Sequence, residues 1–378
     1  MRVVAVFAFL MLALSAPARA EDLQGFLDST LKTTRETGHL PAVAGLLQID
    51  GKIVAETAIG VRAAGSPQTV TTSDLWHLGS DTKAITATMI ARFVERGVMS
   101  FDDTLEQCFP GVAMNEAYRK VTIRQLLSHM AGLPPMTDGE KEFPEYNAVN
   151  QSASGVRAQR MALLKHYLAK APLKAPGTEF EYSNLGFIFA GVAAEARTGK
   201  SWEDLVRTEV FQPLGITHAG FGTPPSTKAI EQPWGHEMKD GKFRPTDPAS
   251  QDSDNPPSLG PAGTIHMSLR DWMLFAQDQM DGAHGHGKLL KAETYRALHT
   301  PISSNGGYAL GWGSKLGPDG VPLILTHSGS NGYWLADVRI WPKHNIIFLM
   351  TANVGGDEAE AAFRDARDVI SKKLKPFD

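Results

Sequence analysis

The chain has 378 residues, with 37 Lys and Arg against 41 Asp and Glu and a formal net charge of −4. A mildly acidic balance without basic blocks argues against nucleic acid and anionic membranes as partners. Cys108 is the only cysteine, so no internal disulfide can form, and the length suits one large domain or two intimate ones.

In chain order, Arg2, the apolar run Val3 to Leu14 and the triplet Ala18-Arg19-Ala20 read as a signal peptide over 1–20, cleaved near Ala20. The apolar run is too short to span a bilayer, and no cysteine stands at the cleavage point to take a lipid. The expectation is an exported bacterial protein, periplasmic or secreted, without a stable membrane anchor. Leu23, Phe26, Leu27 and Leu31 share one face of a helix. Val43 to Ile49 and Ile53 to Ile59 read as strands joined by Asp50-Gly51, a strong hairpin signal. Cys108 reads as a buried packing residue. Thr122 and Gln125 form a capping box for a helix that ends near Met130. Leu163 to Leu168, Leu185 to Ala196 and a segment capped by Ser201 read as further helices, and Ser268 with Asp271 forms another capping box. The proline-rich stretch from about Gly220 to Gly263 reads as a long loop region. Strands return over Trp312–Lys315, Pro322–Thr326, Trp334–Trp341 and Ile346–Thr351, before a helix from Asp357 to Leu374. This order predicts an α+β fold with one antiparallel sheet from about 21–75 and 300–378. Helices and loops are inserted over about 76–299.

Three segments carry chemistry. Ser80-Asp81-Thr82-Lys83 places a hydroxyl and an ammonium three residues apart at the start of a helical run, so both fall on one face. Serine is a poor nucleophile without a base beside it. Lysine serves as that base once its pKa is lowered from about 10.4. Tyr182-Ser183-Asn184 offers a phenol and a carboxamide ahead of a helix. Tyr182 is expected to relay a proton between Ser80, Lys83 and the leaving group, with its own pKa lowered by a nearby ammonium. His327-Ser328-Gly329-Ser330 follows an apolar strand, where glycine lets backbone approach a ligand closely. The amides of Ser80 and Ser330 are candidates for an oxyanion hole.

Together these motifs resemble the serine β-lactamase and penicillin-binding superfamily, nearest to its class C β-lactamase and esterase branch. The flanks Leu126-Leu127-Ser128-His129-Met130-Ala131-Gly132-Leu133-Pro134, Phe211-Gln212-Pro213-Leu214-Gly215 and Pro261-Ala262-Gly263 fit as well. The resemblance implies a sheet with an inserted all-helical region, no cofactor, no metal, and a serine acyl-enzyme. In that scheme Ser80 attacks an ester or amide carbonyl, Lys83 and Tyr182 share the base role, and Asn184 orients Lys83 and the substrate.

The chain departs from the family at His327, where β-lactamases carry lysine. A mostly neutral histidine attracts a carboxylate less and introduces a titration near neutrality. The order of expectation is therefore esterase, then D-amino-acid peptidase or amidase, then β-lactamase, on a small ester, amide or peptide. A non-catalytic penicillin-binding sensor is the rival of another class. His327, Ser328, Gly329, Tyr333 and Trp334 are the expected substrate contacts beside Asn184. His284 and His286 lie in a glycine-rich turn and read as solvated rather than metal-binding.

Overall fold

The computed structural model describes residues 16–137, 141–239, 241–250, 252–302 and 307–374. Most of the expected leader, residues 1–15, lies outside the described residues. A helix from Ala16 to Thr37 runs through the expected cleavage point.

The strands are β1 (Ala42–Ile49), β2 (Lys52–Gly60), β3 (Leu75–His77), β4 (Ala219–Phe221), β5 (His236–Lys239) and β6 (Lys242–Pro245). They continue with β7 (Ile265–Ser268), β8 (Gly313–Leu316), β9 (Pro322–Ser330), β10 (Leu335–Trp341) and β11 (Ile346–Ala352). The main sheet is antiparallel and six-stranded, in the order β2-β1-β11-β10-β9-β8. Its centre joins the two ends of the sequence, with Val43 opposite Ala352 and Ile49 opposite Ile346. Asn353 fixes that junction by accepting the Ala42 N–H at 2.8 Å. Asp50 and Gly51 turn the β1–β2 hairpin at φ +50° and +72°, the positive values that a tight two-residue turn requires.

β1 and β11 are buried along almost their whole length, as strands covered on both faces must be. On one face Val43, Leu47, Phe348 and Met350 pack with Leu27 and Leu31 of the first helix and Phe363 and Ile370 of the helix Asp357–Leu374. On the other, Ala44, Leu46, Ile347 and Leu349 join the core of the helical region. At about 1.5–3 kcal/mol for each large side chain fully buried, both layers contribute to holding the sheet. The helix Thr82–Glu95 lies at the centre of the helical region, with eleven of its 14 residues buried. Such a helix is surrounded on all sides by protein. The helix Asn184–Thr198 packs against it and ends at Gly199, φ +73°.

The expected order of sheet and helices is present, with three differences. The stretch expected as loop, about 220–263, contains the β5–β6 hairpin and reaches β4 and β7, which flank it. With β3, these last two form a second sheet in the order β3-β7-β4. Their pairing joins residues far apart, Leu75 with Ser268, and so leaves no local signal. The third motif does not follow a strand but lies inside β9. The capping box at Ser268 is only half made. Ser268 accepts the Asp271 N–H, while the Asp271 carboxylate turns to the N–H groups of Thr217, at 2.9 Å, and His218.

Candidate active site

β3 delivers the chain to a single 3₁₀ turn, Gly79–Asp81, which feeds the buried helix from Thr82. The turn touches β9 backbone to backbone. A Cβ on Gly79 would sit 2.4 Å from Ser330 N, and one on Gly329 would sit 2.0 Å from Leu78 O and 2.6 Å from Ser80 N. Glycine at both positions is what lets the Ser80 turn and the third motif meet.

Lys83 follows Ser80 by one helical turn and is wholly buried. Its Nζ lies 2.9 Å from Ser80 Oγ, 2.7 Å from Asn184 Oδ1 and 2.8 Å from the Ala262 carbonyl. Burial pushes the lysine well below its usual pKa, opposed by the charge of Asp81. Asp81 is itself pushed up, first by burial and then by Asp337, which weakens that opposition. Nζ donates to all three partners when charged. In the neutral form that the lowered pKa favours, two N–H bonds remain for Asn184 and Ala262, and the lone pair is free to accept from the Ser80 hydroxyl. Asn184 cannot flip, because its Nδ2 donates to the Met136 carbonyl at 2.7 Å.

The segment 129–136 braces the second motif. Glu181 N donates to the His129 carbonyl at 2.9 Å, and Asn184 N to that of Pro135 at 2.8 Å. Ser183 Oγ donates to Pro134 O at 2.6 Å, while Ser183 N donates to His129 Nδ1 at 3.0 Å. His129 is buried at φ +59°, and its ring packs against that of Tyr182, 4.2 Å between centroids and tilted by 34°. Burial and the nearby Lys83 keep that imidazole neutral. The Tyr182 ring also lies 4.9 Å from Lys83 Nζ. The pKa of Tyr182 moves opposite to expectation: burial pushes it well up, and a hydrogen bond with Ser80 lowers it only in part. Tyr182 is therefore a phenol at neutral pH.

The third motif places its residues on different sides of β9. His327 is buried, and Tyr308 O–H lies 3.0 Å from its Nε2. Its Nδ1 donates to Ser328 O at 2.9 Å and lies 3.8 Å from Asp81 Oδ1. Burial, helped by Lys83, lowers its pKa to about 3. The expected titration of His327 near neutrality is thus overturned, because the ring sits behind the site rather than in it. Ser328 points to the opposite face and donates to Asp337 Oδ2 at 2.6 Å. Trp334, expected to contact substrate, is instead core, edge-on to Trp76 at 6.2 Å. Tyr333 packs partly buried against the same core, and its carbonyl accepts the His236 N–H at 3.2 Å.

Ser80, Tyr182, Asn184 and Ser330 line one open cavity of about 580 Å³; His327, Ser328, Gly329, Tyr333 and Trp334 do not. A sequence model described as Beta-lactamase matches residues 27–371. The chain belongs to the Beta-lactamase family. Among curated proteins it is 26% identical to penicillin-binding protein 4 of Amycolatopsis lactamdurans, covering 85% of this chain and 83% of that one. It is 22% identical to protein flp of Staphylococcus aureus over 89% of its own length, and spans 64% of that protein. The octameric penicillin-binding protein homologue from Pyrococcus abyssi superposes with a TM-score of 0.75 at 21% identity, covering 93% of this chain and 77% of that one. SurE superposes at 0.74 and 23% identity, covering 96% and 76%. These two likenesses show the fold.

In this Beta-lactamase family chain several cavity walls went unread in the sequence. Met136, Phe143 and Leu259 supply apolar surface, and Asn255, Asn331 and the exposed Glu360 supply polar surface. They arrive from separate loops and from the last helix, with no spacing to link them. Ala262 stands in the Pro261-Ala262-Gly263 flank, but its use, a carbonyl for Lys83, is a backbone property that residue type does not encode. Among the described residues no cluster of His, Cys, Asp and Glu could hold a metal ion.

Proposed function

We propose that the protein is an exported serine hydrolase that cleaves a small ester through a Ser80 acyl-enzyme. The observation that carries this reading is the wholly buried Lys83 amine, held 2.9 Å from Ser80 Oγ by Asn184 and Ala262. As Ser80 Oγ attacks the carbonyl carbon, its proton passes to Lys83 Nζ. The N–H groups of Ser80 and Ser330 take the oxyanion, a role worth about 10²–10³ in rate per donor. Tyr182, held as a phenol, gives its proton to the departing oxygen and regains one from Lys83. Water then attacks the acyl carbon, its proton passes through the same pair to Ser80 Oγ as the acyl–Oγ bond breaks, and the acid is released.

Substrate choice follows from charge. The position that carries lysine in β-lactamases holds a neutral, buried His327, and Glu360 adds an acid to the cavity lining. Both disfavour a carboxylate on the substrate and favour neutral esters over β-lactams, with D-amino-acid amides between. The relatives named as penicillin-binding proteins support a second reading, stable acylation by a β-lactam without turnover. The site would work in the periplasm or medium after loss of residues 1–20, and N-terminal sequencing of the native protein should then begin at Glu21.

The test is one panel of 4-nitrophenyl acetate, a D-alanyl peptide and a chromogenic cephalosporin. The expected result is the highest kcat/KM on the ester and a loss of several orders of magnitude in Ser80→Ala, as for a residue that forms the covalent bond. A higher kcat/KM on the cephalosporin overturns the substrate order. Undiminished turnover in Ser80→Ala overturns the mechanism.

A further inference from the structure

Behind the glycine contact, a bridge of three polar side chains joins the nucleophile turn to the third motif. His77, the last residue of β3, is wholly buried. Its Nδ1 accepts the Gly79 N–H at 3.1 Å, so its ring proton sits on Nε2, which donates to the Asp254 carboxylate at 3.1 Å. Asp254 also accepts from Asn331 Nδ2 at 2.7 Å and from Asn255 N at 2.7 Å. Asn331 Oδ1 in turn accepts the Tyr333 N–H at 3.2 Å. One end of the bridge thus grips the residue before Ser80, and the other belongs to the residue after Ser330.

We infer that His77, Asp254 and Asn331 are positioning residues for the oxyanion site, with Asp254 setting the separation of the Ser80 and Ser330 amides. The inference rests on the acyl-enzyme reading above. The direct contact between the two segments is backbone against glycine, which excludes a side chain but supplies no directional bond. The carboxylate supplies direction, because both of its ends meet N–H donors. A carboxylate is also the group required. An amide at 254 would turn an N–H towards one of those donors, and one bond would be lost. Transition-state donors work only when aimed at the developing oxyanion, and misplacement by about 1 Å costs on the order of 10²-fold. Substrate in its ground state makes no such demand.

The test is Asp254→Asn, Asn331→Ala and the double variant, assayed on 4-nitrophenyl acetate per active site titrated. Asp254→Asn preserves size, so the core survives. Its kcat should fall roughly 10–100-fold with KM within twofold. Affinity for phenylboronic acid, which adds to Ser80 Oγ as a tetrahedral anion, should fall by the same factor. If Asp254 acts through Asn331, the double variant loses no more than the larger single loss. Additive losses, or a kcat per active site unchanged in Asp254→Asn, overturn the bridge. A fall in thermal midpoint and in the titre of active sites, with kcat per site intact, means a merely structural role and overturns it too. Ser80→Ala, run alongside, separates the two readings. An active Ser80→Ala defeats the acyl-enzyme, whereas an inactive one beside an unaffected Asp254→Asn defeats the bridge alone.

Discussion

Replacing Gly329 by alanine adds one methyl group where the nucleophile turn meets β9. That carbon would lie 2.0 Å from Leu78 O, 2.6 Å from Ser80 N and 2.8 Å from Asp81 N. All three are backbone atoms, so no side chain can swing aside. Real Cβ contacts stay beyond 3.0 Å, so the turn must retreat from the strand by about 1 Å. Misplacement of a reacting group on that scale costs on the order of 10²-fold in rate. Gly329→Ala should therefore lower kcat/KM on 4-nitrophenyl acetate by roughly 10²-fold or more, with circular dichroism unchanged. Gly51→Ala is the control. That hairpin glycine is at φ +72° in open space, so alanine there should cost about 1–2 kcal/mol in stability while leaving kcat/KM intact. A Gly329→Ala enzyme with kcat/KM within threefold of wild type and an unchanged thermal midpoint would refute the placement of β9 against Ser80.

The pH profile of activity should carry no limb from His327, whose pKa near 3 leaves it neutral across the working range. His327→Gln should keep the profile from pH 5 to 9, and an apparent pKa between 6 and 7 that disappears in that variant would contradict the burial. In the proposed mechanism neutral Lys83 is the base, so kcat/KM should rise with pH through the lowered lysine pKa and be lost in Lys83→Met. Stability should fall on acidification, because burial pushes His236 and His266 down to about 4, and His299 and His327 down to about 3. Below about pH 6.5 the unfolded chain takes up protons that these buried rings refuse. Each pH unit below that value, down to the folded pKa, costs about 1.4 kcal/mol per histidine. A thermal midpoint that is flat from pH 7 to 5 would contradict this, and His299→Gln should blunt the fall. Arg160 is wholly buried against Glu195 at 2.8 Å, Glu203 at 2.5 Å and the Pro257 carbonyl at 2.8 Å. Arg160→Met should cost about 3–5 kcal/mol in urea unfolding, since it strands a buried carboxylate, and adding Glu195→Met should recover part of that.

The features legible in the sequence were those with a local period or a local cap. The Asp50-Gly51 turn, the Thr122 capping box, the Ser201 cap and the one-turn spacing of Ser80 and Lys83 each rest on neighbours within four residues. The terminal strands lie between turn residues, and their expected bounds agree with the observed ones within a residue or two, except at the end of β9. Features that depend on distant partners stayed hidden. His327 is pushed down to about 3 rather than staying near neutrality, because burial in the folded chain, helped by Lys83, disfavours its charged form. Trp334 turns to Trp76 across the fold, though its place beside the third motif suggested the site. The direction of the Tyr182 shift depended on whether burial or a nearby charge would win, and burial won. β3, β4 and β7 exist only through pairing between residues well over a hundred positions apart for Leu75 and Ser268. The bridging Asp254 gave no sign at all in its proline-rich stretch.

The proposed chemistry turns on Ser80 Oγ as the atom that takes up the acyl group. A fluorophosphonate probe, followed by intact-protein mass measurement and peptide mapping, reads this directly. One adduct per chain on the peptide containing Ser80, absent in Ser80→Ala and slowed in Lys83→Met, is the expected result. An adduct on any other residue, or equal labelling of Ser80→Ala, would contradict it.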